Sequence, residues 1–169
     1  MPEQETLERA HEDAREGKSP STQAGEFVRE EMHHVREGKH GARSPQQAIA
    51  IGLSKARRAG VKLRAPKRGR ASKQVRARAS RDLRRGRTAR RRRPSPTRSR
   101  AVTRALRREG RSAASRGALG RQARRSARRR GAANRRRAAV KAVRTKGTRG
   151  LRVAARKAAR SRSQHRRAA

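Results

Sequence analysis

Apolar positions recur at helical spacing in the first third of the chain and thin out afterwards. Ala24, Phe27, Val28, Met32 and Val35 fall on one face of a helix that Ser19 caps, Pro20 opens and Gly38 stops. Ser44-Pro45-Gln46-Gln47 reads as a capping box opening another helix, with Ala48, Ile49, Gly52, Leu53 and Ala56 on its apolar face and Gly60 at its end. Ahead of both, residues 2 to 16 place Pro2 in a first turn and Glu3, Glu5 and Glu8 near the positive end of the dipole. Gly17 follows as a C-cap, which predicts a first helix lying on the surface. Arg15-Glu16-Gly17-Lys18-Ser19-Pro20 is echoed by Arg36-Glu37-Gly38-Lys39 with Ser44-Pro45 after it, and shared cap chemistry accounts for the echo. The second and third helices should pack as a hairpin on faces small enough to leave room for a homodimer.

Beyond Val61 the periodic apolar face is lost. Large apolar side chains are reduced to Val75, Leu83, Val102, Leu106, Leu119, Val140, Val143, Leu151 and Val153, too few to offset the entropy of ordering 106 residues. The Ala/Arg background still favours helix, so short segments are predicted over 72–83, 99–108, 118–130, 134–144 and 152–161, between Gly69, Gly86, Gly110, Gly117, Gly120, Gly131, Gly147 and Gly150. Each is weak alone, because like charges at helical spacing repel. The expected fold class is mainly α: a small helical hairpin or three-helix module over residues 1–63, then a largely disordered, helix-prone Arg/Ala-rich arm over residues 64–169.

Charge sharpens that division. Residues 1–63 hold 11 Lys/Arg against 10 Asp/Glu, whereas residues 64–169 hold 37 Arg and 5 Lys against Asp82 and Glu109 alone. An arm of net +40 repels itself and calls for an external polyanion, for which DNA and RNA are the abundant cellular choices. With one duplex charge per ~1.7 Å, that surplus could neutralise at most roughly 40 phosphates, or about 20 base pairs. The preference for Arg over Lys favours bidentate phosphate contact and entry into narrow minor grooves. The residues expected to meet nucleic acid are Arg68, Arg70, Arg90, Arg91, Arg92, Arg93, Arg98, Arg100, Arg128, Arg129, Arg130, Arg135, Arg136 and Arg137. Neutralised by phosphate, the arm should pass from coil to helix. Phe27 is the one aromatic residue, which weighs against modules that stack single-stranded bases.

Smaller signals fit the same reading. Pro66-Lys67-Arg68-Gly69-Arg70-Ala71 looks like an AT-hook core with Ala71 in place of the expected proline, and Arg85-Gly86-Arg87 is a second Arg-Gly-Arg. Ser95-Pro96-Thr97-Arg98 resembles the Ser-Pro-basic turns of histone tails, with a plain linker turn the simpler reading. His11, His33, His34, His40 and His165 raise a metal site, and His33 and Glu37 share a helix face at i, i+4, but His34 faces elsewhere, so no metal site is expected. Glu30, Glu31 and Glu37 are expected on a solvated face, from which they could also clamp the basic arm until nucleic acid displaces them. Cysteine is absent, no glycine-rich phosphate loop or Gly-x-Ser-x-Gly occurs, and acids are almost confined to the first 37 residues. No enzyme, cofactor or small-molecule substrate is expected. Nor is a membrane partner: no run approaches the ~20 apolar residues of a span, and the arm's Ala-rich stripe lacks aromatic anchors for a membrane-active helix.

Residues 17–31 (Gly-Lys-Ser-Pro-Ser-Thr-Gln-Ala-Gly-Glu-Phe-Val-Arg-Glu-Glu), 38–44 (Gly-Lys-His-Gly-Ala-Arg-Ser) and 47–61 (Gln-Ala-Ile-Ala-Ile-Gly-Leu-Ser-Lys-Ala-Arg-Arg-Ala-Gly-Val) carry a resemblance. Together residues 3–63 resemble a bacterial family of small basic proteins known as a domain of unknown function. Residues 104–115 and 141–147 resemble the C-terminal halves of some members. The resemblance implies a bacterial source and a mostly helical module, and it supplies no catalytic residues. In composition the arm is similar to bacterial linker-histone-like tails. The function expected is histone-like, nucleoid-associated DNA binding in the cytoplasm, largely independent of sequence, with RNA or ribosome binding as the alternative.

Overall fold

In the computed structural model, residues 2–88 and 95–167 are described, and these form seven α-helices and one 3₁₀ turn, with no strand among them. The helices are α1 (Gln4–Arg15), α2 (Pro20–Glu37), α3 (Pro45–Arg58), α4 (Lys73–Arg87), α5 (Pro96–Arg107), α6 (Arg116–Arg129) and α7 (Gly131–Arg167), with the 3₁₀ turn at Ser112–Ala114. The chain divides into two compact units, Met1–Gln122 and Ala123–Ala169.

Local chemistry sets the starts of α2 and α3. Ser19 Oγ accepts from Thr22 N–H at 3.4 Å and Ser44 Oγ from Gln47 N–H at 3.3 Å, each followed by proline in the first helical turn. The Gln47 side chain reaches back to accept from Arg43 N–H at 2.8 Å, so the third helix opens on a reciprocal pair of cap bonds. Gly38 ends α2 in the left-handed region at φ 79°, where Lys39 N–H bonds back to His34 O at 3.0 Å and the chain turns away.

Two apolar clusters hold the first unit. One joins Met32, Val35, Ala42, Ala48, Ala113 and Ala114, with Val28, Ile49 and Leu119 against it. The other joins Ala10, Ala24, Phe27, Ala56 and Val61, with Leu7, Leu53, Ala59 and Leu63 against it. Thus α1 is not the surface helix its charge suggested: Thr6, Ala10 and Asp13 are buried, because Leu7 and Ala10 close the second cluster. Small residues let α2 and α3 approach closely. A Cβ built on Gly52 would stand 2.8 Å from Val28 Cα and 2.9 Å from Phe27 O.

Charge crosses the same contact. Glu30 and Glu31 are 4 % and 0 % exposed, which corrects the expectation of a solvated face; Glu37 is exposed as expected. Lys55, from α3, stands 3.1 Å from Glu30 Oε1 and 2.8 Å from Glu31 Oε2. Two carboxylates can be dehydrated here because a cation arrives with the helix that buries them.

The compact packing continues past residue 63. Ala79 and Asp82 of α4 are buried against α3, with Ser54 donating to Asp82 Oδ2 at 2.6 Å and Gly86 packed on the Arg57 carbonyl. Farther on, Gly41 N–H bonds to Leu106 O at 2.8 Å, Ala42 N–H to Gly110 O at 3.0 Å and the Arg36 guanidinium to Ala114 O at 3.1 Å. Helix α4 and the segment from Leu106 to Ala114 are therefore docked on residues 1–63 of this unit rather than free. Gly86, Gly117 and Gly120 lie inside helices rather than breaking them, while Gly147 does interrupt α7 (φ 63°, ψ 171°). Helix α4 also runs four residues past the segment expected, and Ser95-Pro96 opens α5 rather than forming a linker turn.

Two substitutions test this packing by urea denaturation. Gly52→Ala should cost about 1–3 kcal/mol, the usual penalty for overpacking, because backbone rather than a flexible side chain is in the way. Lys55→Met should cost about 3–5 kcal/mol by leaving buried carboxylates without their cation.

Candidate nucleic-acid interface

Where the acids are engaged decides which cations remain available. Within Met1–Gln122, Glu26 meets Arg9 and Arg29, Asp13 and Glu16 meet Lys18, Glu3 and Glu37 meet Lys39, and Asp82 meets Arg58. Among the described residues, no ion pair uses a Lys or Arg beyond Arg58. Among the described residues the clamp expected from Glu30, Glu31 and Glu37 is not seen: they pair with Lys55, His40 and Lys39, all outside the arm.

Cations of this unit share one face of α5. Arg100, Arg104 and Arg107 recur at i, i+4, i+7 and share one helix face, and with Ser99, Thr103 and Arg108 they line a shallow groove of about 500 Å³. Arg98 is exposed but lies about 200° around the helix from Arg100, so these two expected contacts do not act together. Arg68 and Arg70 are exposed beside Gly69, where φ is 80° and Arg70 N–H bonds back to Lys67 O at 3.1 Å. That is a tight turn with glycine at its third position, not the extended backbone an AT-hook lays in a groove. Arg85-Gly86-Arg87, the second such triplet, is helical within α4. Arg90, Arg91, Arg92 and Arg93 lie outside the described residues.

Residues 123–169 contain 19 Lys/Arg and no Asp or Glu. Arg128 and Arg129 close α6 and Arg130 follows it, all exposed. Arg135, Arg136 and Arg137 occupy successive positions of α7, so they point about 100° apart and cannot form one patch. Two are also engaged: the Arg135 guanidinium donates to Ala127 O at 3.1 Å, and Arg137 to Asn134 Oδ1 at 2.9 Å. The coherent surface lies farther on. Arg149, Arg152, Arg156 and Arg160, at i, i+3, i+7, i+11, form one exposed stripe after the break at Gly147, with Leu151, Ala154, Ala155 and Ala158 on the other side. Neither this stripe nor Arg104 and Arg107 was among the residues expected to meet nucleic acid. The spacing was present in the sequence, but runs of adjacent arginines masked it, and Gly150, helical in the structure, was read as a break.

The chain matches no protein-family model, and no similar curated protein or solved structure was found. No helix among the described residues is long and apolar enough to cross a membrane.

Glu3 gives this unit an acid-sensitive contact. Hydrogen bonds from His34 at 2.8 Å and Lys39 at 2.9 Å pull its carboxyl from the ordinary 4.5 down to about 2. A carboxyl depressed by folding adds stability above its unfolded value and loses it as pH falls. The contribution should be full above about pH 4.5 and gone below pH 2. Because Glu3 and Lys39 are exposed, added salt should shrink it. Urea midpoints between pH 5 and 2 should therefore fall less steeply for Glu3→Gln than for the unmodified chain.

Proposed function

We propose that this protein binds duplex DNA by neutralising backbone phosphates with little sequence preference, in the manner of histone-like nucleoid proteins, and that it is not an enzyme. The observation that carries this reading is the stripe Arg149, Arg152, Arg156 and Arg160 in a unit with no acidic residue to balance it. Arginines three and four apart on a helix repel by a few tenths of a kcal/mol per pair, so they disfavour the very helix that displays them. A phosphate backbone laid along the stripe turns that repulsion into attraction and tightens the helix. Backbone neutralisation carries no base code, hence the lack of sequence preference. The groove on α5 supplies a second phosphate contact from the other unit.

Duplex DNA is favoured over single-stranded RNA by the fate of Phe27. The chain's one aromatic ring is 1 % exposed and cannot stack on a base. The helices of residues 1–63 then serve as an interaction or dimerisation module. The resemblance to bacterial basic proteins makes the nucleoid, within the cytoplasm, the setting.

Salt dependence tests the proposal. Log affinity for duplex DNA should fall linearly with log salt concentration, and replacing Arg149, Arg152, Arg156 and Arg160 together by Gln should lower the slope by about 3 to 4, near 0.9 for each phosphate no longer neutralised. A flat salt dependence would falsify phosphate neutralisation. Structured RNA outcompeting duplex DNA at equal phosphate concentration would reassign the substrate.

A further inference from the structure

Glu31, His34 and His40 come together where α2 ends, with one ligand-capable atom from each within 4.8 Å of the others. The group is interior: Glu31 is 0 % and His34 9 % exposed. Glu31 and His34 are one turn apart on α2, and the left-handed backbone at Gly38 returns His40 onto them. The sequence did not suggest this set. Helical spacing pairs His33 with Glu37, both of which the structure leaves exposed, and His40 reaches Glu31 only through the turn.

Hydrogen bonds fix what each ring presents. His40 Nδ1 is 3.0 Å from the Gly41 carbonyl oxygen, and a carbonyl can only accept, so the proton is on Nδ1. In the neutral ring Nε2 is then a lone pair, and it faces Glu31 Oε1 at 3.0 Å. Both Glu31 oxygens are inaccessible to water and accept no well-aligned hydrogen bond, although Lys55 Nζ stands 2.8 Å from Oε2. Two acceptors facing each other in a dry interior repel unless a cation lies between them. His34 has the same character: its Nε2 donates to Glu3 Oε1 at 2.8 Å, leaving Nδ1 as the lone-pair nitrogen. Metal-ligating histidines hold their other nitrogen in this way, on a carboxylate or a backbone carbonyl.

We infer that Glu31, His34 and His40 form a binding site for one divalent transition-metal ion of the zinc type. Two imidazoles and a carboxylate suit Zn²⁺ and leave a fourth position for water. With bonds of about 2.0–2.2 Å, donors around a tetrahedral ion stand about 3.4 Å apart. The 3.0 Å between His40 Nε2 and Glu31 Oε1 is close to one edge of such a site, and one ligand-capable atom of His34 lies within 4.8 Å of both residues' donors. Glu3 and Lys55 are positioning residues, the first holding the His34 ring and the second occupying Glu31 Oε2. A bound ion ties the loop after α2 to the helix itself. The same loop carries the Gly41 and Ala42 bonds to Leu106 and Gly110, so the ion braces the contact that docks α5. The inference stands independently of DNA binding.

The test uses the full chain stripped of metal with a chelator and titrated with Co²⁺ and Zn²⁺. One equivalent of Co²⁺ should give the intense visible absorption of a tetrahedral site, Zn²⁺ should displace it, and the melting temperature should rise with Zn²⁺. His40→Ala and Glu31→Gln should each weaken Zn²⁺ binding at least tenfold, whereas His33→Ala, the exposed neighbour, should leave it unchanged. Circular dichroism monitors folding of the variants; should one of them unfold, the Co²⁺ spectrum of the unmodified chain decides. Only the weak spectrum of hydrated Co²⁺, or equal affinity in His40→Ala, overturns the proposal. So does nitrogen NMR showing both ring nitrogens of His40 protonated with Zn²⁺ present, which would make a proton the cation between the two groups.

Discussion

Glu30 and Glu31, two neighbouring carboxylates shut away from water, set the terms on which α2 and α3 meet. Dehydrating them costs several kcal/mol unless countercharge arrives in the same step, and Lys55 brings it from the opposite helix. The apolar faces, built largely of alanine with Phe27, Met32 and Val35, are too small to dictate a unique mutual placement. A mismatched register would strand a buried charge, so this contact selects the arrangement in which Gly52 lies against the backbone of Val28.

The same sorting of charge separates the two halves of the chain electrically. Acids of the N-terminal helices are matched by cations that precede residue 64, in pairs that are partly internal. Asp82 anchors α4 through Ser54. After Glu109 no acid remains, and each further Lys or Arg raises the local potential without internal compensation. Self-repulsion in the second unit and attraction to a polyanion are thus one property, felt by different partners.

How much of this was legible depended on range in sequence. Helix starts at Ser19-Pro20 and Ser44-Pro45 and the stop at Gly38 are decided by bonds within a few residues, and they were readable. Burial of Glu30 and Glu31 was not, because the residue that neutralises them is Lys55, 24 or more positions away, and His40 comes beside Glu31 only through a turn. The docking of α4 was hidden for a similar reason. Ala79 and Gly86 look like background in an Ala/Arg-rich arm until a neighbouring helix needs their smallness. Among the arginines, counting density pointed to Arg135, Arg136 and Arg137, whereas helical phase gathers Arg149, Arg152, Arg156 and Arg160. Density is a property of composition, and a contact surface is a property of phase.

The interruption at Gly147 divides α7 into a rod of 16 residues and another of 20. At 1.5 Å per residue these are about 24 and 30 Å long, both shorter than the roughly 34 Å that a duplex advances in one full turn. Neither rod alone can therefore follow a groove through a complete revolution. A partner surface longer than either rod can be matched by α7 only through a bend at that single glycine, so one backbone position sets the length over which this helix presents a continuous face.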